Sequence, residues 1–204
     1  MICIIDYGVG NLLSIQNMLK KAGVKAVISA HPEEIQHATK ILLPGMGAFD
    51  NCMERFNNSG LRAMVEEKVF NEKTPVLGIC VGLQMLMARS EEGVLPGLNW
   101  IKGTVIRFKP ELMSSVQKIP NMGWLDIKLK GESTLMAGLE NARFYFAHSY
   151  HVNTIDPSDE LITACYGYDF TCGIERENIM GVQFHPEKSH KYGMRLLKNF
   201  ALDC

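Results

Sequence analysis

The sequence has almost no net charge, no long apolar run and no paired cysteine motif, and each absence excludes a class of function. The 21 basic and 22 acidic side chains give a formal net charge of −1, so neither nucleic acid nor an anionic membrane is an expected partner. The first residues are apolar for only a few positions before Asp6, which predicts neither a signal peptide nor a membrane span. The six cysteines form no Cys-x-x-Cys pair and no zinc spacing, so we expect no metal and a reduced, cytoplasmic protein.

The stretch Pro75–Gln84 joins a buried strand, a cysteine and a helix. An apolar run over residues 76–79 stops at Cys80, and a helical pattern starts directly after it. One glycine stands two residues before the cysteine and another two residues after it, where they permit a sharp turn and a close backbone approach. This pattern is typical of a nucleophile elbow, in which the helix N-terminus favours the thiolate. The alternative interpretation is a buried cysteine that packs as a small hydrophobic residue.

A second motif, near the C-terminus, can supply the base that a nucleophilic cysteine needs. An alternating apolar pattern over residues 181–184 indicates a strand that ends at His185. Pro186 then holds Glu187 at a fixed offset from the imidazole. A carboxylate there can bond one ring nitrogen while the other ring nitrogen faces the thiol. A His-Pro-Glu sequence alone is typical of a surface turn, but its combination with the Cys80 elbow favours a catalytic triad.

The two motifs, Gly-x-Cys-x-Gly-x-Gln and His-Pro-Glu, together resemble the class I, triad-type glutamine amidotransferases. Further blocks resemble one subfamily, the glutaminase subunits of imidazole glycerol phosphate synthase. These blocks cover the chain from residue 2 to about residue 200 and include Asp6-Tyr-Gly-Val-Gly-Asn11, Leu43-Pro-Gly-Met-Gly-Ala-Phe49, Ser90-Glu-Glu-Gly93, Pro120-Asn-Met-Gly-Trp124, Tyr145-Phe-Ala-His-Ser-Tyr150 and Phe184-His-Pro-Glu-Lys-Ser189. The resemblance implies that Cys80, His185 and Glu187 hydrolyse L-glutamine to glutamate and ammonia without a cofactor.

The resemblance also implies an oxyanion hole and a set of substrate contacts. The residues concerned are Gly45, Met46, Gly47, Val81, Gln84, Glu92, Ser149 and Tyr150. Backbone N–H groups of the 44–47 turn and of Val81 would stabilise the tetrahedral intermediate. Gln84 and Glu92 would bind the amino-acid end of glutamine, where a carboxylate suits an ammonium group. From the residues alone, the 44–47 turn is equally well explained as a plain strand-to-helix connection. Glu92, in a charged pair beyond a helix, is from the residues alone interpreted as a solvated charge.

The resemblance further implies a heterodimer with a (β/α)8 barrel synthase, which receives the ammonia and forms imidazole glycerol phosphate in histidine biosynthesis. The positions implied at the shared interface are Asn11, Trp124, Tyr145 and Lys188. Near that face, Asn121 and Leu125 stand where the subfamily usually has histidine and asparagine. Two alternatives therefore stay open. One is an amidotransferase that feeds a cyclase-like paralogue in surface-sugar (acetamidino) synthesis, and the other is a stand-alone cysteine hydrolase of γ-glutamyl bonds.

The order of apolar patterns predicts the fold. Buried strands at 1–6, 26–29, 40–43 and 76–80 alternate with helices at 12–22, 32–37 and 61–70. This alternation predicts an α/β protein with a doubly wound, mostly parallel sheet and flanking helices, as in the class I glutamine amidotransferases. Short alternating segments between residues 100 and 170 predict a small antiparallel edge. No linker interrupts the 204 residues, so we expect a single domain over 1–204.

Two histidines lie in or beside an apolar strand pattern over residues 144–151. We interpret His148 as a core histidine with internal hydrogen bonds, the commoner role for a histidine on an apolar face. His151 lacks the proline-fixed carboxylate that accompanies His185, so it is not the expected base.

Overall fold

One mixed sheet of twelve strands runs through the molecule, and the computed structural model describes all residues from 1 to 204. The strands are β1 (Ile2–Ile5), β2 (Ala26–Ser29), β3 (Lys40–Gly45), β4 (Val76–Cys80), β5 (Arg89–Ser90), β6 (Gly103–Arg107), β7 (Asn121–Leu129), β8 (Arg143–His148), β9 (Tyr150–Thr154), β10 (Glu160–Tyr166), β11 (Tyr168–Arg176) and β12 (Ile179–Val182). The helices are α1 (Leu12–Lys21), α2 (Pro32–Gln36), α3 (Phe49–Asn58), α4 (Arg62–Glu66), α5 (Val81–Met85) and α6 (His190–Leu202).

Parallel strands form one half of the sheet, in the order β2-β1-β3-β4-β12. Every residue of β1, β4 and β12 is buried, as expected for strands whose two faces are both covered by other elements. Of the helices, α1 contacts α6, and α3 contacts α5. The predicted α/β fold with a parallel, doubly wound sheet and flanking helices is confirmed.

Antiparallel strands continue the sheet beyond β12, in the order β11-β10-β7-β8, while β9 joins β6 to β11. The antiparallel strands predicted between residues 100 and 170 are therefore present, and β11 begins within that range and extends to Arg176. Strand β12 is the junction, because it pairs parallel to β4 on one side and antiparallel to β11 on the other.

The register of the central strands brings distant parts of the chain to one edge of the sheet. Gly45 of β3 is the partner of Cys80 in β4, and Val182 of β12 is the partner of Ile79. The three carboxyl ends therefore meet, and the chain that follows Val182 reaches His185 beside the cysteine. Carboxyl ends of parallel strands are the usual location of sites in such sheets.

The segment between Gly47 and β4 contains two α-helices, whereas the sequence predicted a single helix at 61–70. The structure has α3 first, whose buried residues Phe49, Cys52, Met53 and Phe56 follow helical spacing. The predicted helix is shorter, since α4 passes into a π-helical turn at Glu67–Asn71. Asparagine and aspartate have low helix propensity, and their abundance in α3 obscured its apolar stripe.

Gly82 is the point where α5 approaches β3 most closely. A Cβ atom on residue 82 would lie 1.9 Å from the carbonyl oxygen of Leu43, which belongs to a buried strand and cannot move aside. We expect Gly82→Ala to lower the free energy of unfolding by about 3 kcal/mol or more, as measured by urea denaturation. Gly131→Ala is the matched control, because a Cβ there meets no atom within 4 Å. Equal stability of the two variants would contradict this close approach.

Candidate active site

Cys80 lies at a strained turn between β4 and α5. Its backbone has φ 56° and ψ −113°, a conformation that residues other than glycine rarely adopt. The side chain is only 5% exposed, yet it lines a pocket. This is the strand, sharp turn and helix expected of a nucleophile elbow. Helix α5 ends at Met85 and is shorter than the apolar pattern indicates.

His185 and Glu187 lie beside this cysteine, on the turn that follows β12. The Nδ1 atom of His185 is 2.9 Å from Oε1 of Glu187, so the ring donates to the carboxylate through Nδ1. Burial lowers the pKa of His185, but its hydrogen bonds with Cys80 and Glu187, together with their negative charges, outweigh burial and raise it from 6.5 to about 10. The ring is therefore held as the imidazolium next to Cys80. The arrangement can therefore supply a nucleophile, a proton donor and an orienting carboxylate.

The pocket above Cys80 has a volume of about 260 Å³. Its walls are Met46, Gly47, Cys80, Val81, Gln84, Glu92, Pro120, Ala147, His148, Ser149, His185 and Lys188. Glu187 stands behind His185 and does not line the pocket, and neither do two of the eight predicted oxyanion and substrate residues. Gly45 packs its backbone against Val81 and Gly82, and Tyr150 takes part through its carbonyl oxygen, which accepts a hydrogen bond from Gln84.

The turn at residues 44–47, at the end of β3, lies beside Cys80, and buried side chains hold two of its carbonyl groups. Gly47 has φ +89°, a conformation that favours glycine, and Met46 is 50% exposed. The hydroxyl of Tyr7 donates to the carbonyl oxygen of Pro44 at 2.5 Å, and the thiol of Cys52 donates to that of Met46 at 3.4 Å. With two of its carbonyls held by buried donors, the turn is a defined feature of the pocket rather than a free loop.

Glu92 and Gln84 present fixed polar groups to the pocket. The carboxylate of Glu92 accepts a hydrogen bond of 2.9 Å from the backbone N–H of Phe49, at the start of α3, so Glu92 is more than a solvated charge. Gln84 donates from its Nε2 atom to the carbonyl oxygen of Tyr150 at 3.3 Å and to Oε1 of Gln183 at 3.1 Å. With both amide hydrogens engaged, the free Oε1 of Gln84 can accept a hydrogen bond from a ligand.

Sequence reasoning missed Gln183. Its side chain is fully buried, and its Nε2 atom lies 3.8 Å from the sulfur of Cys80. The available signal was a polar residue between Val182 and Phe184, in a segment that is otherwise apolar. A buried amide there needs hydrogen-bond partners, and only the fold shows which ones it has.

The interpretation of His148 as an internally bonded core residue is confirmed. Its Nδ1 atom is 2.7 Å from the carbonyl oxygen of Tyr150, which can only accept, so Nδ1 carries the proton. Nε2 then accepts from the side-chain amide of Asn121 at 3.2 Å. Burial lowers the pKa of His148 to about 3, so the ring stays neutral beside the pocket. His151 is buried too and bonds the hydroxyl of Tyr168.

The neutral state of His148 predicts a loss of stability in acid. Between pH 6.5 and about 3 the unfolded chain binds a proton at this residue and the folded chain does not, so stability falls as the pH falls. We expect this residue to remove about 1.4 kcal/mol of unfolding free energy per pH unit in that window. Urea denaturation at several pH values should give a shallower dependence for His148→Gln. A pH dependence in His148→Gln equal to that of wild type would contradict the prediction. The control is His37→Gln, which removes an exposed histidine.

Three of the four positions expected at a partner interface form one surface beside the pocket. The rings of Trp124 and Tyr145 are 6.2 Å apart, and Nζ of Lys188 lies 5.8 Å from the Tyr145 ring. Lys188 also lines the pocket, so this surface adjoins its mouth. Asn11 stands at the start of α1, a helix that contacts the turn at Pro186–Lys188.

The structure has neither a cluster of metal ligands nor a helix that could span a membrane. No group of three or more histidine, cysteine, aspartate or glutamate residues is arranged to hold a metal ion. No helix combines the length and the apolar character needed to cross a membrane.

Comparisons with known proteins identify the family. Residues 3–204 match the family described as glutamine amidotransferase class-I. The chain is 50% identical to the imidazole glycerol phosphate synthase subunit HisH of Bdellovibrio bacteriovorus, over 98% of this chain and 99% of the relative. It is 48% identical to subunit HisH 2 of Pseudomonas aeruginosa, over 98% of both chains. A chain in the solved structure of PurLQS from Thermotoga maritima shares the fold, with a TM-score of 0.70 and 19% identity over 98% of this chain and 96% of that one. The chain therefore belongs to the class I glutamine amidotransferases, in the family of the HisH subunits of imidazole glycerol phosphate synthase.

Proposed function

We propose that this chain is the glutaminase subunit of an imidazole glycerol phosphate synthase and hydrolyses L-glutamine to glutamate and ammonia. The observation that carries the proposal is the strained Cys80 elbow next to His185, whose ring is held by the buried carboxylate of Glu187. The pocket of about 260 Å³ is smaller than the sites of drug-sized ligands, which begin at about 300 Å³, and so fits a single amino acid.

In the proposed reaction, the thiolate of Cys80 attacks the side-chain amide carbon of glutamine. His185, as the imidazolium, gives its proton to the departing ammonia, and a thioester remains on the sulfur. Neutral His185 then takes a proton from water, which attacks the thioester and releases glutamate and the thiolate. Glu187 orients the ring and stabilises its positive charge through the hydrogen bond to Nδ1.

We assign the oxyanion hole to the backbone of Gly45, Met46 and Gly47 with the N–H of Val81. Three of these four residues line the pocket next to the nucleophile, and Gly45 is the sheet partner of Cys80. Donors held by the fold in this position stabilise the charge that develops on the carbonyl oxygen without needing to reorganise.

The amino-acid end of glutamine is assigned to Gln84, Glu92, Ser149 and Tyr150. The α-ammonium group suits the carboxylate of Glu92 and the free Oε1 of Gln84, since both are acceptors. Ser149 contributes to the wall of the pocket, and Tyr150 holds Gln84 through its carbonyl oxygen.

The proposed partner is a (β/α)8 barrel synthase that receives ammonia and forms imidazole glycerol phosphate in histidine biosynthesis. Ammonia released into water is protonated near neutral pH and lost as a nucleophile, so a docked acceptor is needed. The surface of Trp124, Tyr145 and Lys188, with Asn11, is assigned to this contact because it adjoins the pocket. All six cysteines are free, which fits a cytoplasmic enzyme, and one continuous sheet fits a single domain over 1–204.

The test is glutamate release from glutamine by the purified chain, alone and with the histidine-pathway synthase plus its ribonucleotide substrate. We expect strong stimulation by the synthase with its substrate and little release without them. A Trp124→Ala variant should lose part of the stimulation, because the proposed interface is weakened. Activity that is indifferent to the synthase would assign the chain to a different partner. Cleavage of γ-glutamyl peptides without any partner would instead favour a stand-alone hydrolase.

A further inference from the structure

A buried chain of hydrogen bonds leads from a backbone carbonyl to the sulfur of Cys80. It starts at the carbonyl oxygen of Tyr150, which accepts from Gln84 Nε2, and continues from that same amide nitrogen to Oε1 of Gln183. Nε2 of Gln183 then faces the sulfur at 3.8 Å. Gln84 is 3% exposed and Gln183 is fully buried, so water does not compete for these bonds.

The direction of this chain is determined by its first member. A carbonyl oxygen can only accept, so Gln84 must turn its NH2 group towards Tyr150, and the same NH2 group reaches Gln183. Gln183 must therefore accept this hydrogen bond through its Oε1 atom, so its own NH2 group faces Cys80. The reversed amide would oppose two NH2 groups and place an oxygen against the sulfur. The orientations of both side-chain amides therefore follow from the carbonyl oxygen of Tyr150, which can act only as an acceptor.

We propose that Gln183 is a further residue of the catalytic machinery, a hydrogen-bond donor that stabilises the thiolate of Cys80 and holds the sulfur in place. Gln84 positions it by fixing the orientation of its amide. The assignment rests on the proposed glutaminase function, and it gives Gln84 a second role besides contact with the substrate. A hydrogen-bond donor is effective in a buried site because water does not compete with it for the negatively charged acceptor.

Other titratable groups also act on the Cys80 sulfur. His185, with Glu187 behind it, lies on the turn after β12, while Tyr7 follows β1 and Cys52 belongs to α3. Glu92, His148 and Lys188 line the same pocket as Cys80. Gln183→Met and Gln84→Met leave all of these groups in place and add no charge, so a change of thiolate stability in these two variants reports on the amide of Gln183.

The experiment measures how the rate of Cys80 alkylation by iodoacetamide depends on pH, with the Cys80 peptide quantified by mass spectrometry. Gln183→Met keeps the length of the side chain and removes the donor, and Gln183→Glu keeps the shape and replaces the donor by an acceptor. We expect the midpoint of the pH profile to rise by about one pH unit in Gln183→Met and by at least as much in Gln183→Glu. Gln36→Met, an exposed glutamine of α2, should leave the midpoint unchanged.

A midpoint equal to that of wild type in folded Gln183 variants would overturn the proposal. Thermal melting of each variant establishes that it is folded. Gln84→Met provides a second test, because it leaves Gln183 in place but removes the hydrogen bond that orients the Gln183 amide. We expect this variant to raise the midpoint by less than the Gln183 variants do. If the Gln183 variants do not fold, an unchanged midpoint in Gln84→Met overturns the proposal in their place. Alkylation needs neither glutamine nor a partner, so failure of the proposed glutaminase function would be seen separately, as absent glutamate release by the unmodified protein.

Discussion

Replacement of Cys80 by alanine is expected to reduce glutamate release by at least about 10⁴-fold, measured with the stimulating synthase present. The reason is that the sulfur of Cys80 is the nucleophile of the proposed reaction, and no other cysteine lines the pocket. Cys80→Ser should also be severely impaired, since a hydroxyl in the same place is far less ionised than a thiol beside an imidazolium. The fold should survive both changes, because each substitute is no larger than cysteine.

The control for this prediction is Cys165→Ala, which removes an exposed cysteine at a distance from the pocket. Its activity should equal that of wild type. If Cys80→Ala kept full glutaminase activity and full biological function, the chain would act as a non-catalytic interaction module, and the proposed mechanism would be wrong.

Glu187→Gln is expected to lower kcat by about 10²- to 10⁴-fold, with a smaller change in KM for glutamine. The buried carboxylate of Glu187 holds Nδ1 of His185 at 2.9 Å, and its charge helps to raise the pKa of His185 to about 10. A neutral amide keeps the shape of the side chain and loses the charge, so the pKa of His185 should fall. Glutaminase kinetics and NMR titration of the His185 ring measure these two effects. Glu132→Gln, on an exposed glutamate, is the matched control.

The same variant should change how stability depends on pH. Because the pKa of His185 is about 10 in the folded chain against an ordinary value of 6.5, the bound proton stabilises the fold fully below pH 6.5. That contribution is lost as the pH rises from 6.5 towards 10. Glu187→Gln should therefore lose less stability than wild type over this window in urea denaturation. An unchanged pKa of His185 and an unchanged kcat would show that Glu187 does not support the imidazolium.

The local features of the site could be predicted from the sequence. The strand-cysteine-helix turn at Cys80 follows from an apolar run and two glycines, and the offset of Glu187 from His185 follows from the proline between them. Buried apolar strands that alternate with helices indicated the parallel sheet. These features depend on residues that are close together in the chain, where backbone sterics and apolar periodicity dominate.

Which distant residues face one another could not be predicted from the sequence, because it depends on how the strands are ordered in the folded sheet. Strand β12 lies beside β4, about a hundred positions away in the chain, because the sheet register places Val182 opposite Ile79. That register brings His185 and Gln183 to the cysteine, and the hydrogen bonds of Gln84 with Tyr150 and Gln183 then turn the Gln183 amide nitrogen towards the sulfur. Burial and hydrogen-bond partners likewise decide that His148 stays neutral while His185 is held protonated. The charge state of an ionisable side chain depends on the groups that surround it in space, and short sequence patterns do not contain that information.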